Sequence, residues 1–130
     1  MNMKKAVLFS ILVAVLLIAP GCKPKSQSVE IKPAPIHEVA IRFAESFPVQ
    51  VFVYIKGGLS DGCTTFKEVN TTRNKDNIIE IIVSVQRPLN RMCTAIYGYF
   101  EQNVALGSDF VRGKTYIVKV NDVTKTFVMP

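Results

Sequence analysis

The sequence predicts an all-β fold, and three features of the chain support this prediction. Apolar residues alternate with polar ones over most of the chain beyond residue 36, the period-two pattern of half-buried strands. Breaks rich in Gly, Pro and Asn recur at spacings near ten residues. No segment beyond residue 36 shows the 3.6-residue period of an amphipathic helix. We therefore expect an immunoglobulin-like β-sandwich of about seven antiparallel strands over residues 36–130, with a small closed barrel as the alternative.

The alternation also places the individual strands. The longest apolar stripe follows the odd-numbered residues from 47 to 55, and Gly57-Gly58 ends it. Pro88 closes a later strand, because proline cannot donate a hydrogen bond to a central ladder. Asn121-Asp122 predicts the turn of a terminal hairpin. The seven predicted strands lie within residues 39–43, 47–55, 66–71, 79–85, 95–106, 115–120 and 124–129.

The first 21 residues have the layout of a secretory signal. Lys4 and Lys5 precede an apolar run of about fourteen residues, which is shorter than the roughly 20 residues that a membrane-spanning helix needs. The run ends in Ala-Pro-Gly before Cys22, which resembles the lipobox of bacterial lipoprotein precursors, although Ala19 stands where that motif usually has leucine. The resemblance implies that residues 1–21 are cleaved and that Cys22 carries lipid. Cleavage without lipidation and an uncleaved anchor are the alternatives.

Residues 22–35 predict a flexible tether, because Pro24, Pro33 and Pro35 lie among Lys, Ser and Gln. Loss of the two signal-peptide lysines lowers the net charge from +6 to +4, and the folded part carries only about +2. This weak charge forms no basic stripe and disfavours nucleic-acid binding. The lipid would place the protein in the bacterial cell envelope, facing the extracytoplasmic side. Lys23 after the cysteine favours the outer membrane in a cell that has one.

No catalytic or cofactor-binding pattern is present in the sequence. The single histidine, His37, lies at the end of the predicted tether and is expected to be solvated. One histidine makes a Ser-His-acid triad or a zinc site implausible. The acidic residues fall on separate predicted strands and turns, where solvent exposure is their ordinary role. We therefore predict that the protein is not an enzyme and that it binds neither a cofactor nor a metal.

The three cysteines predict one disulfide. With Cys22 taken by lipid, Cys63 and Cys93 remain as a pair in an oxidising compartment. A redox centre is disfavoured, because neither cysteine belongs to a Cys-x-x-Cys motif. Closing a loop of about 31 residues should stabilise the domain by roughly 3 to 4 kcal/mol.

The predicted disulfide brings two loops to one end of the domain, where a partner could bind. Exposed Leu and Met side chains ringed by Arg would form a contact surface there. In the alternative interpretation, Asp61 caps its turn or pairs with Arg87, while Leu89 and Met92 close the end of the core. The candidate binding residues are Leu59, Asp61, Arg87, Leu89, Arg91 and Met92.

The order of several short motifs resembles a small Ig-like domain of uncharacterised bacterial extracytoplasmic proteins, often found behind a lipoprotein signal. The resemblance covers about residues 48–128 and implies the β fold, the disulfide and the extracytoplasmic address, but it implies no chemistry. Tyr116 in this pattern is either a core aromatic or a corner tyrosine. The motifs are Leu59-Ser60-Asp61-Gly62-Cys63, Arg87-Pro88, Cys93-Thr94, Phe100, Leu106-Gly107, Gly113, Tyr116 and Val120-Asn121.

These features lead to one functional hypothesis and two alternatives. The hypothesis is a monomeric, lipid-tethered module that binds an envelope protein or polymer through its disulfide-linked loops. The first alternative is an inhibitor of an extracytoplasmic hydrolase, which would need an ordered loop with the Leu89 side chain in solvent. The second is an accessory structural lipoprotein without a discrete ligand.

Overall fold

The computed structural model describes residue 21 and residues 26–130, and the latter form eight β-strands. The signal sequence and Cys22 lie outside the described residues, so cleavage and lipidation remain predictions. The described part of the chain contains no helix that could span a bilayer. The strands are β1 (Val29–Pro33), β2 (Ile36–Ala44), β3 (Gln50–Leu59), β4 (Thr65–Arg73), β5 (Ile78–Pro88), β6 (Gly98–Gly107), β7 (Thr115–Val120) and β8 (Val123–Val128).

The strands form two sheets, and β5 is the centre of the larger one. β4 pairs with one edge of β5. On the opposite edge, β7 pairs with residues 78–81 of β5 and β1 pairs with residues 84–88. β8 then pairs with β7. The smaller sheet has the order β2-β3-β6. The predicted all-β sandwich is therefore confirmed, with two corrections: there are eight strands rather than about seven, and the pair β5/β7 is parallel whereas all strands were expected to be antiparallel.

The core lies between the two sheets and follows the alternation in the sequence. Successive side chains of a strand point to opposite faces, so that every second residue is buried. The buried side chains are almost all β-branched or aromatic. The residues with less than 2% of their surface exposed are Val51, Val53, Ile55, Ile79, Ile81, Val83, Tyr116, Val118 and Val120.

The second half of the predicted tether is instead part of the folded domain. Residues 29–33 form β1, and the Ala34 side chain is buried with 2% exposure. The Ala34 N–H donates to the Val83 carbonyl at 2.9 Å. Two prolines fit here because β1 has only one paired edge and Pro35 lies between strands. The predicted tether is wrong over residues 29–35. Amino-acid composition reflects only the local preference of the chain for an extended, unpacked state, whereas β1 is held by its pairing with β5.

Two other local predictions need correction. The alternation predicts Phe47 at the start of the longest stripe, but Phe47 is fully exposed in the β2–β3 connection, and β3 begins only at Gln50. Pro48 follows Phe47 and has no N–H to donate, so the ladder cannot extend through it. Residues 95–97 likewise precede β6, which begins at Gly98.

Tyr116 combines the two roles that the sequence left open. Its ring is buried, with 1% exposure, and it stacks against Phe127 with a centroid distance of 5.4 Å. Its hydroxyl accepts a hydrogen bond at 2.9 Å from the N–H of Val111, five residues upstream. This backbone bond is the geometry of a corner tyrosine, and it fixes the chain before β7.

Asn121 joins three segments of the larger sheet. Its Oδ1 accepts a hydrogen bond from the Val83 N–H at 2.9 Å, and its Nδ2 donates to the carbonyls of Ala34 at 2.8 Å and Val83 at 2.9 Å. Its backbone has a φ of 49°, in the left-handed region that Asn tolerates better than most residues. One side chain thus supplies a partner for the Val83 N–H and the Ala34 carbonyl, and adds a second donor to the Val83 carbonyl, which already accepts from the Ala34 N–H.

Replacement of Asn121 by Ala should lower the free energy of unfolding by about 2 to 4 kcal/mol, because the partly buried Val83 N–H and Ala34 carbonyl lose their partners and the Val83 carbonyl loses one of its two donors. Asn90→Ala is the matched control: Asn90 also has a positive φ, 58°, and replacing it should cost about 1 kcal/mol. Urea denaturation of both variants measures the difference. Equal losses would show that backbone strain, and not the hydrogen bonds, makes Asn121 important.

Candidate functional site

The disulfide joins two connections at one end of the sandwich. Cys63, between β3 and β4, is bonded to Cys93, between β5 and β6, with the two Cα atoms 5.5 Å apart. The Gly62 N–H donates to the Thr94 carbonyl at 2.9 Å, next to the covalent bond. A Cβ on Gly62 would overlap Thr94 Oγ1, so glycine suits this close approach. The predicted disulfide is therefore present, and it brings the two loops together.

Asp61 organises the first of these loops. One carboxylate oxygen accepts hydrogen bonds from the Cys63 N–H at 3.0 Å, the Thr64 N–H at 2.9 Å and the Thr64 hydroxyl at 2.8 Å. The other oxygen forms an ion pair with the Arg87 guanidinium. The Arg87 contact, followed by the Thr64 and Cys63 bonds, lowers the pKa of Asp61 to about 2 against an opposing effect of burial. Asp61 and Arg87 thus hold the loop together.

The six candidate binding residues divide into two groups. Leu59 is half-buried and packs against the core, and the Asp61–Arg87 pair is internal to the loop. Arg91 is exposed, as are 44% of Leu89 and 99% of Met92. The alternative interpretation is thus right for Asp61, which caps its turn and pairs with Arg87, and wrong for Leu89 and Met92, whose side chains are exposed and do not close the core.

The structure adds exposed side chains that the sequence analysis missed. Ile96, Tyr97 and Tyr99 are 67%, 45% and 58% exposed. Five of the twelve large apolar side chains exposed within the described residues therefore fall between positions 89 and 99. We call these five residues the loop patch: Leu89, Met92, Ile96, Tyr97 and Tyr99. The sequence pattern predicts one strand over residues 95–106, whereas β6 begins only at Gly98, so residues 95–97 belong to the connection.

His37 supports one side of the loop patch. Its Nε2 is hydrogen-bonded to the Tyr97 hydroxyl at 2.6 Å, and its ring lies 5.8 Å and 5.4 Å from the Tyr97 and Tyr99 rings in edge-to-face geometry. Gly58 leaves the space for this arrangement, because a Cβ there would overlap the Tyr97 hydroxyl. The Lys56 ammonium lies 4.9 Å from the centre of the Tyr99 ring. His37 therefore has a structural partner 60 residues away, in addition to the exposure that the sequence predicted.

The site offers little to a metal ion. Within residues 26–130, one group of three potential ligands clusters closely enough, and it consists of Asp61, Cys63 and Cys93. Both sulfur atoms are in the disulfide and supply no thiolate. The Asp61 carboxylate is occupied by Arg87 and Thr64. These three side chains therefore hold the loop in place and have no free ligand atoms to offer together to a metal ion.

A second exposed apolar region lies at the opposite end, around the β2–β3 connection. Phe47 is fully exposed, and Val111 is 62% exposed. A shallow cleft of about 250 Å³ beside them is lined by Phe47, Pro48, Phe110, Arg112 and Met129, among others. No disulfide or buried ion pair braces this end within the described residues. It therefore provides a natural comparison for the loop patch.

Removal of the disulfide should measure how far the loop patch depends on it. The double variant Cys63→Ser and Cys93→Ser should lose roughly 3 to 4 kcal/mol of unfolding free energy, because the loop in the unfolded chain is no longer closed. Urea denaturation of the variant and of the oxidised wild type checks this value. A loss below about 1 kcal/mol would mean that Asp61 and the strands fix the end without covalent help.

The Asp61 carboxylate should contribute to acid sensitivity. Its pKa is about 2 in the folded protein against 3.8 for an ordinary aspartate, so its stabilising effect is complete well above pH 3.8 and is lost as the pH falls towards 2. Asp61→Asn should therefore flatten the decline in unfolding free energy between pH 5 and pH 2. The exposed Asp122→Asn leaves the Arg87 pair intact and should keep the wild-type slope. Equal slopes for wild type and Asp61→Asn would contradict this assignment.

Comparisons with known proteins place the domain among proteins of unassigned activity. An "Uncharacterized 10.2 kDa protein in HgiCIIM 5'region" of Herpetosiphon aurantiacus is 38% identical over 90 residues, which is 69% of this chain and 94% of the relative. An "Uncharacterized 10.2 kDa protein in HgiBIM 5'region" of the same organism is 38% identical over 80 residues, or 62% of this chain and 95% of the relative. No solved structure matches the chain. These relatives indicate no catalytic family.

The family model described as "ORF11 beta-sandwich domain" matches residues 53–129. That range runs from within β3 to the residue after β8 and includes both cysteines and the whole loop patch. The expected kinship with an uncharacterised β-domain family is confirmed at this level, whereas the lipoprotein signal and the short motifs remain predictions. By this match and by relatives 38% identical, the chain belongs to the ORF11 beta-sandwich domain family.

Proposed function

We propose that this protein is a membrane-anchored lipoprotein whose β-sandwich is a non-catalytic binding module of the cell envelope. The observation that carries the proposal is the loop patch: four exposed apolar and aromatic side chains on the β5–β6 connection beside the disulfide, and Tyr99 at the start of β6. Concentrated apolar side chains on a surface are typical of interaction sites. Tyr and Met are among the residues enriched at such sites.

The rigidity of this end suits binding. Binding costs free energy when mobile side chains and loops must be ordered, and a preorganised surface avoids much of that cost. The covalent bond at Cys93 and the hydrogen bond between His37 and Tyr97 fix the connection on either side of Ile96. Asp61 and Arg87 fix the neighbouring loop. The connection that carries the patch is thus held at Cys93 and Tyr97 before a partner arrives.

An inhibitor of an extracytoplasmic hydrolase is a second candidate, favoured by one observation. Such an inhibitor needs an ordered loop that projects apolar side chains into solvent, and Leu89 and Met92 are 44% and 99% exposed on a disulfide-bonded connection. The identity of the bound partner distinguishes the two functions.

Photo-cross-linking from position 89 in living cells tests the binding module. A photo-reactive residue at Leu89 should give a discrete adduct that the same residue at Lys119, an exposed position on β7, does not give. Adding Met92→Asp should abolish the adduct, because a charge then replaces an apolar contact. Mass spectrometry of the adduct identifies the partner, and a hydrolase would support the inhibitor. No adduct, or equal labelling from both positions, would contradict the proposal and favour an accessory structural role.

A further inference from the structure

We infer that the loop patch docks onto the bilayer that holds the lipid anchor, so that the domain lies with its disulfide-linked end against the membrane. This inference rests on the proposed function, because it takes Cys22 as the lipid-bearing residue. It names the partner of the patch as the interfacial region of a phospholipid bilayer.

The first argument is where the chain enters the domain. β1 begins at Val29, opposite Pro88 of β5, and the Leu89 N–H donates to the Ser28 carbonyl at 2.8 Å. Gln27 lines the same shallow cleft as Cys63 and Arg91. The polypeptide that leads back to Cys22 therefore leaves the domain beside the loop patch.

The second argument is the length of that polypeptide. Six residue steps separate Cys22 from Ser28, and they span at most about 22 Å when fully extended. The ten residues of β3 alone span roughly 33 Å, and they run from the connection that carries Phe47 towards the disulfide-linked end. A lipid on Cys22 thus keeps the loop patch near the bilayer surface and allows the Phe47 end to face away from it.

The third argument is the chemistry of the side chains. Tyr97 and Tyr99 have amphipathic rings of the type that is enriched at membrane–water interfaces, and Ile96 and Met92 offer apolar surface. Arg91 is exposed on the same connection, and Lys23 and Lys25 lie next to the anchor in the sequence. Basic residues at this position attract anionic headgroups.

Acidic residues also lie near this end, and they reduce that attraction. Glu38 and Glu101 both lie opposite Lys56 in the strand registers, so this side of the loop patch carries no excess of positive charge. Two other acidic residues have basic partners. Asp61 is paired with Arg87. Glu30 is paired with Lys32, with Oε2 and Nζ 3.1 Å apart. Because the anchor already holds the patch near the surface, contact with lipid is an intramolecular event, for which weak individual contacts suffice.

Tryptophan fluorescence tests the inference directly, because the chain contains no tryptophan. Met92→Trp places a probe in the loop patch, and Phe47→Trp places a matched probe at the opposite end. Both positions are almost fully exposed, 99% and 102%, so neither replacement disturbs packing. The lipid-modified mature protein is reconstituted into vesicles of phosphatidylethanolamine and phosphatidylglycerol, some of which carry brominated acyl chains.

We expect the emission of the Met92→Trp variant to shift to shorter wavelength in vesicles. Brominated lipid should quench it at least twofold more than it quenches the emission of the Phe47→Trp variant. Adding Ile96→Asp to Met92→Trp should reduce this quenching to the level of the Phe47→Trp variant, because a charged side chain resists entry into the interface. Near-ultraviolet circular dichroism of each variant verifies the fold, and mass spectrometry of the N-terminal peptide verifies the lipid on Cys22.

The different failures of this experiment are distinguishable. Equal, weak quenching of both probes in a protein that carries lipid on Cys22 would overturn bilayer docking and leave the binding module intact. An N-terminal peptide without lipid would overturn the anchor and, with it, this inference. A discrete protein adduct from position 89, together with unquenched emission of the Met92→Trp variant, would assign the loop patch to a protein partner and overturn docking.

Discussion

Hydrogen bonding along both edges of β5 determines most of this architecture. β4 covers one edge, while β1 and β7 divide the other between them. All these strands must bury alternate side chains against β2, β3 and β6, which produces a dry, β-branched core around Val83. Because β1 pairs with the last residues of β5, the same ladder that completes the sheet also fixes where the chain enters the domain.

The disulfide-linked end shows how a small domain keeps apolar side chains in solvent without collapse. An unbraced connection carrying Leu89, Met92 and Ile96 would fold over the edge of the core, because burial of such side chains is favourable by about 1.5 to 3 kcal/mol each. The disulfide at Cys93 and the hydrogen bond between His37 and Tyr97 hold this connection on both sides of Ile96. The exposure of the patch is therefore a consequence of the constraints around it.

The strands of the core could be predicted from the sequence because they depend on local alternation. The stripes through Val53, Ile81 and Val118 identify their buried faces without any knowledge of the partner strands. β1 could not be predicted in this way, because its prolines and polar residues have the composition of a tether and only its pairing with β5 makes it a strand. The parallel register of β5 and β7 is also a property of the assembled sheet.

The same limit applied to the candidate site. Cysteine counting sufficed to pair Cys63 with Cys93, and the consequence that two loops meet followed from that pair. Which side chains turn inward could not be derived, because Leu59 and Leu89 differ in no local property that decides between core and solvent. The contact between His37 and Tyr97 joins residues 60 positions apart and depends on the space above Gly58. Contacts of this kind cannot be predicted from local sequence, because they depend on how the strands pair.

The correction to the tether changes the interpretation of function more than any other finding. In the lipoprotein that we propose, a tether over residues 22–35 would let the domain turn freely far above the membrane, whereas a tether that ends before Val29 would hold the end that carries Leu89 closer to it. A lipid on Cys22 would then place any partner of the loop patch within reach of the bilayer surface. The short distance between the proposed anchor and the loop patch is therefore the feature that connects the fold to the proposed lipid contact.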